Sequence, residues 1–265
     1  MNSSAHPIGF DRFIQLDWAA AALNVRAGTA RLDELNALLD AAGLGVEARK
    51  KTRTVLNRLW LEPRAEWVDF ADRGVALHKT QPEIAVAALC WGMAIATCPF
   101  FGKVAELVGR LSALQGDCAP AEVHRRMSET YGEREGTRRM TNRVIQTQAG
   151  WGAVERAAKG KRVIRLAPTT IDSDELTAWL IEAAVRYTAR PVPVPALRSL
   201  PVLFPFILSR PLAYMVSNSP TLELRSEGPN SPFVALRFVL ETARCSSARA
   251  SDRQGEIKQA ALHRH

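Results

Sequence analysis

The stretch REGTRRMTNRVIQTQAGWG, residues 134–152, holds four arginines, and nothing in it breaks a helix between Thr137 and Gln148. Projected at about 100° per residue, Met140 and Val144 fall together with Thr137 beside them. Arg138, Arg139, Asn142 and Gln146 fall on the opposite side, flanked by Arg134 and Arg143. These side chains suit the reading of base edges. Arg donates twice to guanine O6 and N7, Asn and Gln pair in two directions with adenine N6 and N7, and each such contact discriminates by ~1–3 kcal/mol. A merely solvated helix face interleaves acids with bases, whereas no acid occurs here between Glu135 and Glu155.

The surrounding charge fits a polyanionic partner. The 265 residues carry 35 Lys and Arg against 27 Asp and Glu, a formal charge of +8. From Ala121 to Thr170 eleven basic residues face five acidic ones, so +6 of that excess lies in fifty residues. Arg125, Arg126, Lys159, Lys161 and Arg162 are expected to grip phosphates, which gives affinity and register without sequence information.

The elements around the basic helix follow from periodicity. GKVAELVGRLSALQG spaces Val104, Leu107, Val108, Leu111 and Leu114 as a helix ending at Gly116, and CAPAEVHRRMSETYG opens a second helix at Pro120 with Val123, Met127 and Tyr131 inward. The basic helix is the third. RAAKGKR then reads as a hairpin tip and RVIRLAP as a strand that Pro168 ends. Three helices followed by a basic hairpin is the order of a winged helix-turn-helix.

An offset of 85 positions sets RKKTRTVLNRL (49–59) on REGTRRMTNRV (134–144), matching Arg49 with Arg134, Thr52 with Thr137, Arg53 with Arg138 and Asn57 with Asn142. If this is a repeat, the chain holds tandem helix-turn-helix units, and Arg49, Lys50, Arg53 and Asn57 form a second DNA face. Between the two basic helices, PRAEWVDFADRG reads as a short helical connection. Ile84 to Phe101 is eighteen residues without a charge. It is alanine-rich and interrupted by Pro99, so a helix buried on all sides is preferred over a membrane span.

Beyond Pro168 the character changes. TTIDSDELTAWLIEAAVRYTA begins with Asp172 or Ser173 as N-cap and buries Leu176, Trp179, Leu180 and Ala183. A proline-punctuated apolar stretch follows, and TLELRSEG with SPFVALRF reads as a strand pair. From about Thr242 the composition is that of a mobile tail.

Motifs of chemistry are missing from the sequence. It contains no Walker A, HExxH, GxSxG or GxGxxG pattern, and AAKGKR lacks the first glycine and the Ser or Thr of a phosphate loop. Cys90, Cys98, Cys118 and Cys245 form no CxxC pair, and no His stands at metal-ligand spacing, so free thiols in a reducing cytosol are expected. His78 and His124 have no Cys or Asp beside them in sequence. Asp11, Arg12 and Asp17 interrupt the first apolar stretch, and no secretory signal is expected.

The basic TxR helix in KTRTVLNRL, the apolar helix ending in CPFFGKVAELVGRL and the block that follows resemble the small DNA-binding A component of bacteriophage-exclusion (BREX) defence systems. The resemblance spans about residues 10–190, and the proline-rich unit from Arg190 to Phe238 lies outside it. It implies an all-helical, tandem helix-turn-helix protein that binds DNA and works with other defence subunits.

The expected fold is mainly α, with tandem helix-turn-helix and winged-helix units and a small C-terminal α/β unit. Its parts are an N-terminal helical domain (1–97), a winged helix-turn-helix domain (98–168), a mixed α/β unit (169–240) and a tail (241–265). The expected function is non-catalytic binding of double-stranded DNA in the cytoplasm, away from membranes and without cofactor, with further subunits docking on the C-terminal unit. The alternatives are a protein-interaction adaptor and a helix-turn-helix transcription regulator whose C-terminal unit binds a ligand or partner.

Overall fold

The computed structural model describes residues 9–81, 83–226 and 232–237, so the tail expected at 241–265 and Cys245 lie outside the described residues. The described residues are mainly helical, with three small sheets. Its N-terminal part contains α1 (Leu16–Ala27), α2 (Leu32–Ala41), α3 (Val46–Leu56), α4 (Ala65–Thr80) and α5 (Val86–Thr97). The connection expected after Trp60 is the full helix α4.

Helix α5 is the centre of the core. Every residue from Ala88 to Ala96 is buried, as the absence of charge requires. No single helix among the described residues is long and apolar enough to cross a membrane. Pro99 has a local reason. The residue before a proline is pushed out of the α region. Cys98 accordingly lies at φ −128° and ψ 86°, and Pro99 becomes the first residue of α6 (Pro99–Leu111), bent by 114° from α5.

After α6 come β1 (Asp117–Cys118), α7 (Pro120–Tyr131), α8 (Glu135–Gly150), β2 (Val154–Ala157) and β3 (Arg162–Arg165). The strands form an antiparallel sheet of order β1-β3-β2, with Cys118 opposite Val163 and Arg156 opposite Val163 on its other edge. Helix α6 is shorter than expected. It ends at Leu111, and Leu114 is 98% exposed in the turn that leads to β1.

The C-terminal segment contains β4 (Thr169–Ile171), α9 (Asp174–Thr188), β5 (Val192–Pro193), β6 (Phe206–Leu208), α10 (Leu212–Asn218), β7 (Leu222–Ser226) and β8 (Pro232–Leu236). Ser173, rather than Asp172, caps α9 by accepting from the Leu176 N–H at 3.2 Å. The strand pair read from the sequence is β7 and β8, antiparallel with Leu222 opposite Leu236, joined by β5. Strand β4 pairs in parallel with β6.

One hydrophobic cluster runs without a break from Phe10 to Val234, through all three segments that the sequence suggests as domains. Helix α9 makes the junction. Trp179 stacks on Phe70 at 4.3 Å and 3°, and its Nε1 donates to the Phe70 carbonyl at 3.0 Å. A Cβ at Gly92 would lie 2.1 Å from the Trp179 ring, so the absence of a side chain there is what admits the indole. Beside it, the buried Glu182 accepts from Arg73, Arg186 and Thr221. A buried carboxylate persists only when paired and hydrogen-bonded in this way.

The tightest backbone approach is at Gly109 of α6, where a Cβ would lie 2.1 Å from the Pro201 carbonyl oxygen. Gly109→Ala is therefore expected to lower the unfolding free energy by ~1–3 kcal/mol or more, because a backbone oxygen cannot swing aside. Gly136 of α8 faces open space. Gly136→Ala is expected to leave stability unchanged or raise it by up to about 1 kcal/mol. Urea unfolding midpoints of the two variants check both statements.

Candidate nucleic-acid interface

Helix α8 has little apolar sequence because its inner face is lined by small polar residues. Thr137, Thr141, Thr147 and Gln148 are buried with Val144 and Ile145. Thr141 and Thr147 satisfy their hydroxyls on carbonyls one turn back, at Thr137 (2.8 Å) and Arg143 (3.0 Å). Met140 is half-buried, at the edge of the packed face.

The far end of α8 is pinned to the N-terminal segment. The Ile14 N–H donates to the Thr147 hydroxyl at 3.0 Å, and Trp151 Nε1 donates to the Ile14 carbonyl at 3.0 Å. Phe10 packs against Phe101 at 5.0 Å, and Arg58 donates to the Gly9 carbonyl. The basic helix is thus a rigid part of the molecule.

Its outer face presents Arg134, Arg138 and Arg139 exposed, with Asn142, Arg143 and Gln146 half-buried. Among the described residues Arg138 and Arg139 have no carboxylate partner. Arg143 donates to Gln146 Oε1 at 3.1 Å, which orients the amide, and Arg134 donates to the Tyr131 carbonyl at 3.3 Å. Asn142 lies beside His124 of α7.

The hairpin carries the second cluster. Ala158, Lys159 and Gly160 are successive left-handed residues, at φ 50°, 56° and 81°. This tight turn leaves Lys159 and Lys161 exposed at the tip, beside the exposed Arg156 of β2. Neither lysine has a carboxylate partner among the described residues. Arg162 differs, since it pairs with Asp117 of β1.

Two arginines of α7 are also neutralised within the fold. Arg125 pairs with Glu122 and Glu129, and Arg126 pairs with Glu122 at 2.8 Å. The two guanidiniums hold the Glu122 carboxyl down at about 2. The phosphate grip expected of Arg125, Arg126 and Arg162 therefore requires these pairs to open first.

The second face expected on α3 is further from its assignment. Thr52 and Thr137, aligned by the 85-residue offset, are both buried on the inner sides of their helices. Beyond that point the units part, because α3 runs into a π-helical turn, Asn57–Leu61, and then α4. No hairpin follows it. Arg49 pairs with Asp40, and Arg53 donates to Asn57 at 3.0 Å and to Asn36 at 2.7 Å. Asn57 donates in turn to Glu62 at 2.9 Å. Lys50 alone of the four is exposed and unpaired among the described residues.

His124 has no Cys or Asp beside it in the sequence, yet the fold sets it in a cleft of about 640 Å³ between α7 and α8, with Arg125, Arg134 and Arg138. Glu129, Glu133 and Glu135 rim the same cleft, so uncompensated charge begins only at Arg138. A sequence signal existed: His124 lies on the helix preceding the basic one, within a turn of Val123 and Met127, which face it. Arg156 was likewise legible as an exposed strand position before the turn.

Chemistry beyond charge is sparse. Burial pushes the Cys90 thiol up to about 12 and Cys118 to about 11, which keeps both protonated and unreactive at neutral pH. Among the described residues no group of three or more His, Cys, Asp or Glu is placed to hold a metal ion. Comparison with protein-family models, curated proteins and solved structures finds no match to this chain.

Burial, then the positive charge of Arg138, holds the His124 pKa below its ordinary value, and burial does the same for His78. The unfolded chain therefore takes up these protons first as pH falls. The stability associated with neutral His124 is present above about pH 6.5 and is lost below it. A melting temperature that declines from pH 7.5 to 5.5, with a shallower decline in His124→Gln, is the expected result of thermal melts across that range.

Proposed function

We propose that this protein binds double-stranded DNA without catalysing a reaction, and that the order α6-β1-α7-α8-β2-β3 is a winged helix-turn-helix. In this reading α8 enters the major groove and the β2–β3 hairpin is the wing on the adjacent backbone. The observation that carries the reading is the selectivity of charge pairing. Among the described residues Arg138, Arg139, Lys159 and Lys161 stand exposed without carboxylates, while Arg125, Arg126 and Arg162 nearby are neutralised. A face kept cationic on two successive elements suits a polyanion.

Arg138 and Asn142 are the candidates for base edges, and Arg139, Lys159 and Lys161 for phosphates. Arg134, Arg143 and Gln146 support them. The α3 face is left out of the interface, because its arginine and asparagine side chains are engaged within the fold. The resemblance to the A component of BREX systems supports a place beside other defence subunits in the cytoplasm.

A second reading, an adaptor that docks a protein partner, has one observation in its favour. A cleft of about 490 Å³ opens between α4, α9 and α10, floored by Trp179 and Met215, with Tyr214 62% exposed beside it.

Arg138→Ala combined with Asn142→Ala is expected to weaken binding to a duplex library by about tenfold or more at fixed salt. Lys50→Ala is expected to leave it within about twofold. Equal binding by the parent and the double variant in a gel-shift titration would refute the assigned face. A parent that retards no duplex yet co-purifies with a large subunit would favour the adaptor.

A further inference from the structure

A different cleft, of about 430 Å³, lies between the end of α6, the β3–β4 link and the 3-10 turns at Val194–Ser199 and Pro201–Leu203. It gathers Arg110, Arg165 and Arg198, and no acidic residue lines it. Arg110 is shared with Glu106 at 2.6 Å. Arg165 and Arg198 have no carboxylate partner among the described residues.

What holds those two guanidiniums is neutral. Arg165 Nη2 donates to the Phe204 carbonyl at 2.9 Å, and the group sits over the Phe204 ring at 5.1 Å. Arg198 donates to the Leu208 carbonyl at 2.7 Å and the Arg210 carbonyl at 2.9 Å. A guanidinium has five donors in a planar fork. Both are thus fixed in orientation while most of the fork remains unspent. Burial lowers the pKa of Arg165, as expected for a cation drawn out of water without a counter-charge.

The walls between the arginines are apolar. Leu200, Pro201 and Leu203 form one side, and Ile207, 47% exposed, forms the lip. We propose that this cleft binds a small phosphate ester with a flat apolar body, of the size of a nucleoside monophosphate. Two arginines without carboxylates among the described residues, with Arg110 beside them, suit a phosphate dianion, whose three terminal oxygens accept from forked donors on several sides. The volume lies within the range of small-ligand sites, and the apolar wall beyond Arg165 gives the organic body a surface to leave water. This inference does not depend on DNA binding by α8.

A backbone phosphate of bound DNA offers the same chemistry, so the experiment separates the two sources. Titration calorimetry of the full chain with AMP, adenosine and inorganic phosphate is expected to give tightest binding for AMP, weaker binding for phosphate and none for adenosine. Arg165→Gln is expected to weaken AMP about tenfold or more. Arg110→Gln, a change at an exposed side chain that removes one cleft guanidinium and its pair with Glu106, is expected to weaken it several-fold, which keeps the test valid if Arg165→Gln melts early. No heat with AMP in the parent, equal affinity for adenosine, or AMP affinity unchanged in Arg110→Gln and Arg165→Gln would overturn the proposal. Loss of duplex binding in Arg165→Gln, with no AMP binding by the parent, would likewise overturn it and assign the cleft to the DNA backbone.

Discussion

The insertion of Trp179 between α4 and α5 is the constraint on which the remaining structure depends. Helix α5 has no polar face, so it must be covered on every side. Helices α1, α4 and α6 and the π-helical turn cover part of it, α9 covers more, and Phe204 and Phe206 close over Trp91. The indole fits only because Gly74 and Gly92 leave room, and it is locked by stacking on Phe70 and by its hydrogen bond to the Phe70 carbonyl. Losing such a side chain from a core costs ~3–5 kcal/mol, a large share of a typical domain's stability. The Glu182 cluster beside it adds a directional condition, because its carboxylate must meet Arg73 of α4 and Arg186 and Thr221 of the C-terminal segment together.

That docking fixes the site at second hand. With α5 enclosed, Pro99 sets the direction of α6, and α6 carries α7 and α8. Residues 9–14 reach from the N-terminal part to the end of α8 through Ile14, Thr147 and Trp151. The outer face of α8 and the hairpin tip are therefore held at a fixed separation. Fixed spacing is what a repeating polyanion demands of its binder, and a set of free-swinging arginines would not supply it.

Much of this was legible in sequence. Periodicity located α6, α7, α8 and α9, and the alternation in RVIRLAP located β3, since each has one buried face that imposes its period. The inner face of α8 was only half legible. Thr141, Thr147 and Gln148 are polar by type, and their burial follows from tertiary contacts. Leu114 misled for the opposite reason, because helical spacing continues past the point where α6 gives way to a turn. The strongest discrepancy concerns charge. Composition counts Arg49, Arg125, Arg126 and Arg162 as cationic, but the fold pairs them with Asp40, Glu122 and Asp117. The pairs of Arg125 and Arg126 with Glu122 stand at helical spacing and were readable, whereas those of Arg49 with Asp40 and Arg162 with Asp117 depend on tertiary placement. The carbonyl-held arginines around Phe204 were invisible for the same reason.

Salt-dependent anisotropy on a random duplex tests the central claim most directly, comparing the parent with an Arg138→Ala, Arg139→Ala double variant. Three to four phosphate contacts predict that parent affinity falls roughly 40- to 150-fold between 50 and 200 mM salt, with a shallower slope in the variant. Parent binding that is insensitive to salt, or a variant with the same affinity and slope, would contradict the account.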